Sequence, residues 1–136
     1  MARQFIDTNL LVYAEDPGEP ERGPRAVERV QALMRGGEGI ISTQVLQEFF
    51  SITTRKLRLP PLQMRERMQT FDAFEIVQVT RERTYEAIDL HLRHGITFWD
   101  ALIVRTAATA RCVELLSEDH QDGQVIDGVR VVNPFR

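Results

Sequence analysis

The chain has 136 residues, 43% of them hydrophobic and 27% charged, with a net charge of −3; this fits one globular domain spanning 1–136 with a real core and excludes a generic polyanion binder. It holds no apolar run near the roughly 18 residues that a membrane span requires, and no basic-then-apolar leader that would read as a signal peptide. Cys112 is the only cysteine, which excludes an internal disulfide and fits a small buried hydrophobe in a reducing cytoplasm, the expected location.

Arg3 to Ile6 is a short apolar run that reads as a strand, followed by Asp7-Thr-Asn9 and an apolar helix start at Leu10 to Ala14. Pro and Gly punctuate the acidic stretch Glu15 to Glu21, a loop. Pro24 to Met34 reads as a helix, with Ala26, Val27, Val30 and Leu33 at helical spacing. Gly39 to Ser42 reads as a second strand. Ser42 or Thr43 then caps a helix to about Leu57, with Val45, Leu46, Phe49, Phe50 and Ile52 as its buried face. Pro60-Pro61 breaks the chain before a helix over Leu62 to Phe71. Phe74 to Val79 alternates as a third strand. Thr80 caps a helix over about Glu82 to His94, and Gly95 stops it. Thr97 begins another helix. Val113 to Leu116 is a fourth strand, Ser117 to Gly123 a polar loop, and Val129 to Val132 the last strand. Strands alternating with helices predict a three-layer α/β/α domain with a central, mainly parallel sheet.

Four acids sit at telling places. Asp7 lies at the C-terminal end of the first strand, where open α/β sheets place ligands, although Asp, Thr and Asn are also turn and cap residues. Glu48 stands three residues after Val45 and four before Ile52, on an apolar helix face. An unpaired charge is costly to bury there, so it needs a cation, a metal or a solvent pocket. Thr97 and Asp100 have capping-box spacing, yet Phe98 and Trp99 are expected to bury that same helix start. Asp119 follows the fourth strand directly. Converging carboxylates repel one another unless a counter-charge is present. All-oxygen ligands favour Mg²⁺, with Mn²⁺ as a substitute. Such clusters activate water for phosphodiester cleavage.

At these residues the chain resembles a known family. Phe5-Ile-Asp-Thr-Asn-Leu-Leu-Val-Tyr-Ala14, the Glu48 helix, Gly95-Ile-Thr-Phe-Trp-Asp-Ala-Leu-Ile103 and Leu115-Leu-Ser-Glu-Asp119 are similar to the signature blocks of PIN-domain ribonucleases, above all the VapC-type toxins of bacterial toxin–antitoxin pairs. The resemblance spans nearly the whole chain. It implies a Mg²⁺-dependent endoribonuclease in which Asp7 and Asp100 ligate the ion most directly. Glu48 and Asp119 then complete the catalytic pocket, and Thr8, Asn9 and Ser117 support it. Where many members carry an aromatic residue, this chain continues His120-Gln-Asp122-Gly, so Asp122 stands as a second candidate for the fourth acid. The resemblance further implies a homodimer silenced by a small antitoxin, whose tail fills the acidic groove.

Other features carry less. His91 and His94 lie three apart on a helix but lack a third ligand nearby. Gly36, Gly37 and Gly39 lack the lysine of a phosphate loop. Arg55, Lys56, Arg58, Arg65 and Arg67 can rim the pocket and hold an RNA backbone. The Phe and Trp residues sit at core spacing, which argues against base stacking. The rival functions are a processing nuclease without an antitoxin, a non-catalytic RNA-binding module that would have lost its acids, and a phosphoacceptor. The last would need a second acid and a lysine near Asp7, where Asn9 stands instead.

Overall fold

The computed structural model describes residues 2–136. β1 (Gln4–Ile6) leads into α1 (Thr8–Tyr13) and α2 (Arg22–Gly36). β2 (Gly39–Ser42) leads into α3 (Thr43–Arg55) and α4 (Pro61–Gln69), and a 3-10 turn at Thr70–Ala73 precedes β3 (Glu75–Val77). α5 (Arg81–His94) and α6 (Phe98–Thr109) follow, then β4 (Glu114–Leu116), β5 (Val125–Ile126) and β6 (Val129–Val132).

The six strands form one sheet in the order β3-β2-β1-β4-β6-β5. Every pairing is parallel except that of β5 with β6. Successive strand residues point to opposite faces, so neighbouring buried residues report cover on both sides. Phe5 and Ile6 on β1, Ile40 and Ile41 on β2, and Leu115 and Leu116 on β4 are all at most 1% exposed. Helices therefore cover both faces, as the α/β/α prediction requires. The chain moves one way from β1 to β3 and then returns across β1 to β4. Right-handed crossovers accordingly send α1–α4 to one face and α5–α6 to the other.

That reversal has a functional consequence. β1 and β4 are neighbours whose following segments leave in different directions, which opens a crevice beyond their C-terminal ends. Asp7 and Ser117 are the first residues past these two strands.

Local chemistry explains most element ends. The side chains of Ser42, Thr80 and Thr97 accept from backbone N–H groups of Val45, Arg83 and Asp100, satisfying first-turn donors of α3, α5 and α6. Gly95 ends α5 at φ 72°, a conformation that a side chain would strain. Gly39 begins β2 against the Phe74 ring, where an added Cβ would lie 2.8 Å from Cδ1.

Some expectations are corrected. α2 starts at Arg22, two residues before Pro24, because a proline in the first helical turn gives up no intrahelical bond. β3 is shorter than Phe74 to Val79. β5 was not anticipated: it forms a hairpin with β6 around Asp127 and Gly128, both at positive φ, a two-residue turn of the Asp-Gly kind. Phe50 and Val27 are exposed rather than core, while Gln44 and Thr53 take buried places on α3. Cys112 is buried, as expected. No described helix is long and apolar enough to cross a membrane.

Candidate active site

Asp7 is the floor of the site. It caps α1, and its Oδ1 accepts the Thr8 backbone N–H at 2.7 Å. Its Oδ2 accepts the Ser117 hydroxyl at 2.7 Å, a bond between the ends of adjacent strands β1 and β4. The side chain is 6% exposed and Ser117 is fully buried. Burial pushes the Asp7 carboxyl up to about 7, and the charges of Asp119 and Glu48 push the same way, while the bonds from Ser117 and Thr8 pull it down.

Glu48 comes from α3. Its Oε1 accepts the Thr8 hydroxyl at 2.7 Å and its Oε2 accepts the Gln44 amide at 3.3 Å. The same amide nitrogen donates to the Trp99 carbonyl at 3.2 Å, which ties α3 to the start of α6. Two neighbours thus orient Glu48 and leave lone pairs free for a cation or a water.

Asp100 lies in the first turn of α6, whose backbone N–H donates to the Thr97 hydroxyl at 3.1 Å. No reciprocal bond from the Asp100 carboxylate to the cap is found among the described residues, so that carboxylate is left for the cleft. Asp119 is exposed at the rim, and its N–H donates to the Ser117 hydroxyl at 3.1 Å. Ser117 therefore joins the Asp7 carboxylate to the Asp119 backbone.

All four acids line one cleft of about 340 Å³, together with Thr8, Asn9, Asp16, Glu19, Lys56 and an apolar wall that includes Trp99. Asp122 lies elsewhere: its carboxylate accepts the Asn133 N–H at 2.8 Å, holding the Ser117–Gly123 loop to the end of β6. Of the five basic residues expected at the rim, only Lys56 lines the cleft, and Arg67 pairs with Glu15 at 3.0 Å. His91 bonds the Ile96 carbonyl and closes the α5–α6 turn. Trp99 is 61% exposed, contrary to the expected buried helix start.

The sequence reading passed over Gln44, Asp16 and Glu19. Gln44 stands four residues before Glu48, a spacing that places the two side chains together on a helix. Asp16 and Glu19 had no such signal, since only the path of the 15–21 loop brings them to the cleft.

The donor set fits a hard divalent cation. Six carboxylates face the cleft against one lysine. Both polar atoms of the Asn9 carboxamide are buried without a partner, and buried amides are otherwise almost always satisfied. Among the described residues no group of three or more His, Cys, Asp or Glu side chains is gathered closely enough to hold a metal ion by itself. The acids thus share a cleft without forming a cage, so a divalent ion there would take one or two carboxylates directly and keep several waters.

Comparison with known proteins bears on the fold and the family. No curated protein matches the chain by sequence. Its fold is similar to that of a toxin–antitoxin complex from Klebsiella pneumoniae, at TM-score 0.71 and 22% identity over 96% of this chain and 97% of that one. It is also similar to VapC20 of Mycobacterium tuberculosis, described as a sarcin-ricin loop cleaving toxin, at TM-score 0.70 and 17% identity over 93% and 98%. DNA-bound VapBC from Salmonella typhimurium gives TM-score 0.67 and 18% identity over 96% and 97%. The PIN domain family model matches residues 5–124, a stretch that begins within β1, reaches the loop after Asp119 and contains all four cleft acids. The chain therefore belongs to the PIN-domain family, a family of nucleases that generally use divalent metals.

Proposed function

We propose that this protein is a Mg²⁺-dependent endoribonuclease that hydrolyses RNA phosphodiesters at the Asp7, Glu48, Asp100 and Asp119 cleft, and that it is the toxin of a toxin–antitoxin pair. The observation that carries the chemistry is the Asp7 carboxyl. It is buried at the β1/β4 crevice, bonded to Ser117 and Thr8, and repelled by two further carboxylates. Such a group is stabilised as an anion by a cation bound beside it.

Asp7 and Asp100 would hold the ion directly, with Mn²⁺ as a substitute. A bound divalent ion would supply Lewis-acid stabilisation of the phosphoryl charge and a more acidic water. Glu48, oriented by Thr8 and Gln44, and Asp119 at the rim have oxygens free to align that water and accept its proton. Asn9 offers a buried carboxamide to the same group or its water shell. Asp122, bonded to Asn133, supports the loop rather than the chemistry.

The toxin assignment is supported by the likeness in fold to toxin–antitoxin proteins. An antitoxin tail carrying arginine would meet six carboxylates in the cleft, and two copies of the toxin would pair in the complex. Cytoplasmic RNA is the substrate in this reading. Incubating RNA with Mg²⁺, with EDTA, and with Asp7→Asn or Asp100→Asn protein tests the chemistry. Cleavage is expected only in the first case, and cleavage surviving chelation and both substitutions would remove the mechanism. Induction in cells, alone and with any small open reading frame overlapping the start of the gene, tests the toxin role. Growth arrest relieved by the second product is expected, and unrestricted growth alone would leave a processing nuclease.

A further inference from the structure

The cleft is lined by two unlike kinds of side chain, the carboxylates and the apolar Val12, Ile52, Leu57, Ile103 and Trp99. Trp99 stands in the first turn of α6, a helix whose later residues Ala101 to Val104 are all buried. Trp99 itself is 61% exposed. Phe98 touches it edge to face, with centroids 5.0 Å apart and planes at 72°, which covers at most one face of the indole. Its backbone is fixed, because Gln44 holds the Trp99 carbonyl while also holding Glu48. Trp99 is therefore an exposed aromatic side chain on an anchored backbone, lining the same cleft as the carboxylates. Lys56, the only lysine, lines the same cleft and takes part in none of the ion pairs found among the described residues.

A ligand that suits Trp99 and Lys56 together has a flat apolar part and an anionic part. We infer that Trp99 is a stacking platform for one unpaired nucleobase next to the phosphate at the carboxylates, with Lys56 contacting an adjacent phosphate. This rests on the nuclease reading only in taking RNA as the ligand. The base must be unpaired, since a duplex keeps its faces stacked. Every base offers a π face, so the platform supplies affinity and register but little base choice. Lys56 acts as a point charge on the backbone and offsets part of the repulsion that an acidic cleft exerts on phosphate.

Trp99 is the sole tryptophan, so its emission reads the contact without any substitution at that position. The full chain carrying Asp7→Asn, in Mg²⁺, is titrated with an unstructured fluorescein-labelled RNA dodecamer and with an abasic ribose-phosphate oligomer of equal length. Anisotropy reports binding and indole emission reports stacking. Quenching by the RNA but not by the abasic oligomer is expected. Trp99→Ala is expected to weaken RNA binding roughly 5- to 150-fold, with Trp99→Phe within about fivefold of the parent. In otherwise unaltered enzyme, Trp99→Ala should raise KM far more than it lowers kcat. Lys56→Gln should reduce the salt dependence of binding by about one phosphate contact.

RNA binding with unchanged emission, and a Trp99→Ala Kd equal to the parent's, would overturn the inference and leave the nuclease reading standing. Emission of the RNA-free protein that reddens as dilution takes its mass from dimer to monomer would also overturn it, since a second copy would then cover the ring. Absence of both binding and cleavage for every RNA would sink the nuclease reading and this inference together.

Discussion

The floor and the lip of the cleft are built differently. At the floor, every carboxylate is bonded by other residues: Asp7 by Thr8 and Ser117, Glu48 by Thr8 and Gln44. At the lip, Asp100 and Asp119 receive the cleft on one side and solvent on the other, and their recorded bonds run through backbone N–H groups rather than their carboxylates. The floor is preorganised by cross-strand and strand-to-helix bonds, and it bears the desolvation that makes Asp7 hard to ionise. The lip is free to follow an ion or a substrate. Geometry is therefore held at the floor, and adjustment is left to the lip.

The largest expected effect comes from removing the floor's charge. Asp7→Asn should lower cleavage on the order of 10³-fold while making the metal-free protein more stable. The asparagine oxygen can still accept the Thr8 N–H, so the cap survives. The sign follows from the raised pKa. An acid that ionises near 4 when unfolded and at about 7 when folded contributes stability below pH 4. That contribution is lost as pH climbs to about 7, because the unfolded chain ionises first. At about 1.4 kcal/mol per pH unit, the span is on the order of 4 kcal/mol, a ceiling for the gain. Urea melts of both proteins in EDTA at pH 4 and pH 8 check this. A variant that gains nothing at pH 8 relative to pH 4 would break the contrast between a strained floor and a relaxed lip.

Next in size is Ser117→Ala. It deletes the donor to Asp7 and the acceptor for the Asp119 N–H in a fully buried place. A loss of about 1–3 kcal/mol in stability is expected, with roughly 10- to 100-fold more Mg²⁺ needed for half-maximal cleavage. Thr8→Val should be milder. It leaves the Thr8 backbone donor in place and frees only one oxygen of Glu48, so a fall of about tenfold in kcat is expected. Thr8→Ser, which keeps the hydroxyl, should restore it. Metal titrations of activity separate the two residues, since Ser117 acts through Asp7 and Thr8 through Glu48.

The same contrast explains what was legible in the sequence. The caps at Ser42, Thr80 and Thr97 and the stop at Gly95 depend on contacts within a few residues, so local chemistry announced them. The β/α alternation likewise announced a parallel sheet. The hairpin of β5 and β6 had a signal in Asp127-Gly128 that a two-residue strand obscured. Trp99 could not be placed by spacing. It sits on a helix apolar nearly all round, where periodicity assigns no outward face, and only the approach of α3 leaves its ring at the cleft. Asp16 and Glu19 join the cleft through a loop path that no periodic pattern records. The acids at element ends were visible because the ends of parallel strands are where such folds gather function. The bonds that join Glu48 to Thr8 and Asp7 to Ser117 were not visible, because they link positions 40 and 110 apart.

The smallest effects distinguish the two acids of the last loop. Asp119 lines the cleft and raises the Asp7 pKa by its charge, whereas Asp122 accepts the Asn133 N–H beyond the end of β6. Asp119→Asn should lower cleavage about tenfold, since a water-mediated partner at the rim is lost while the floor stays intact. It should also lower the Asp7 pKa, read as a downward shift of the pH at which the metal-free protein loses stability. Asp122→Ala should leave kcat unchanged and lower Tm by about 2 °C through the lost loop bond. Asp122→Asn, whose side-chain oxygen can still accept, should do neither. Reversal of the pair, with Asp122 governing kcat and Asp119 only Tm, would mean that the loop rearranges when RNA enters. The lip would then select its fourth acid after binding, rather than hold it in place beforehand.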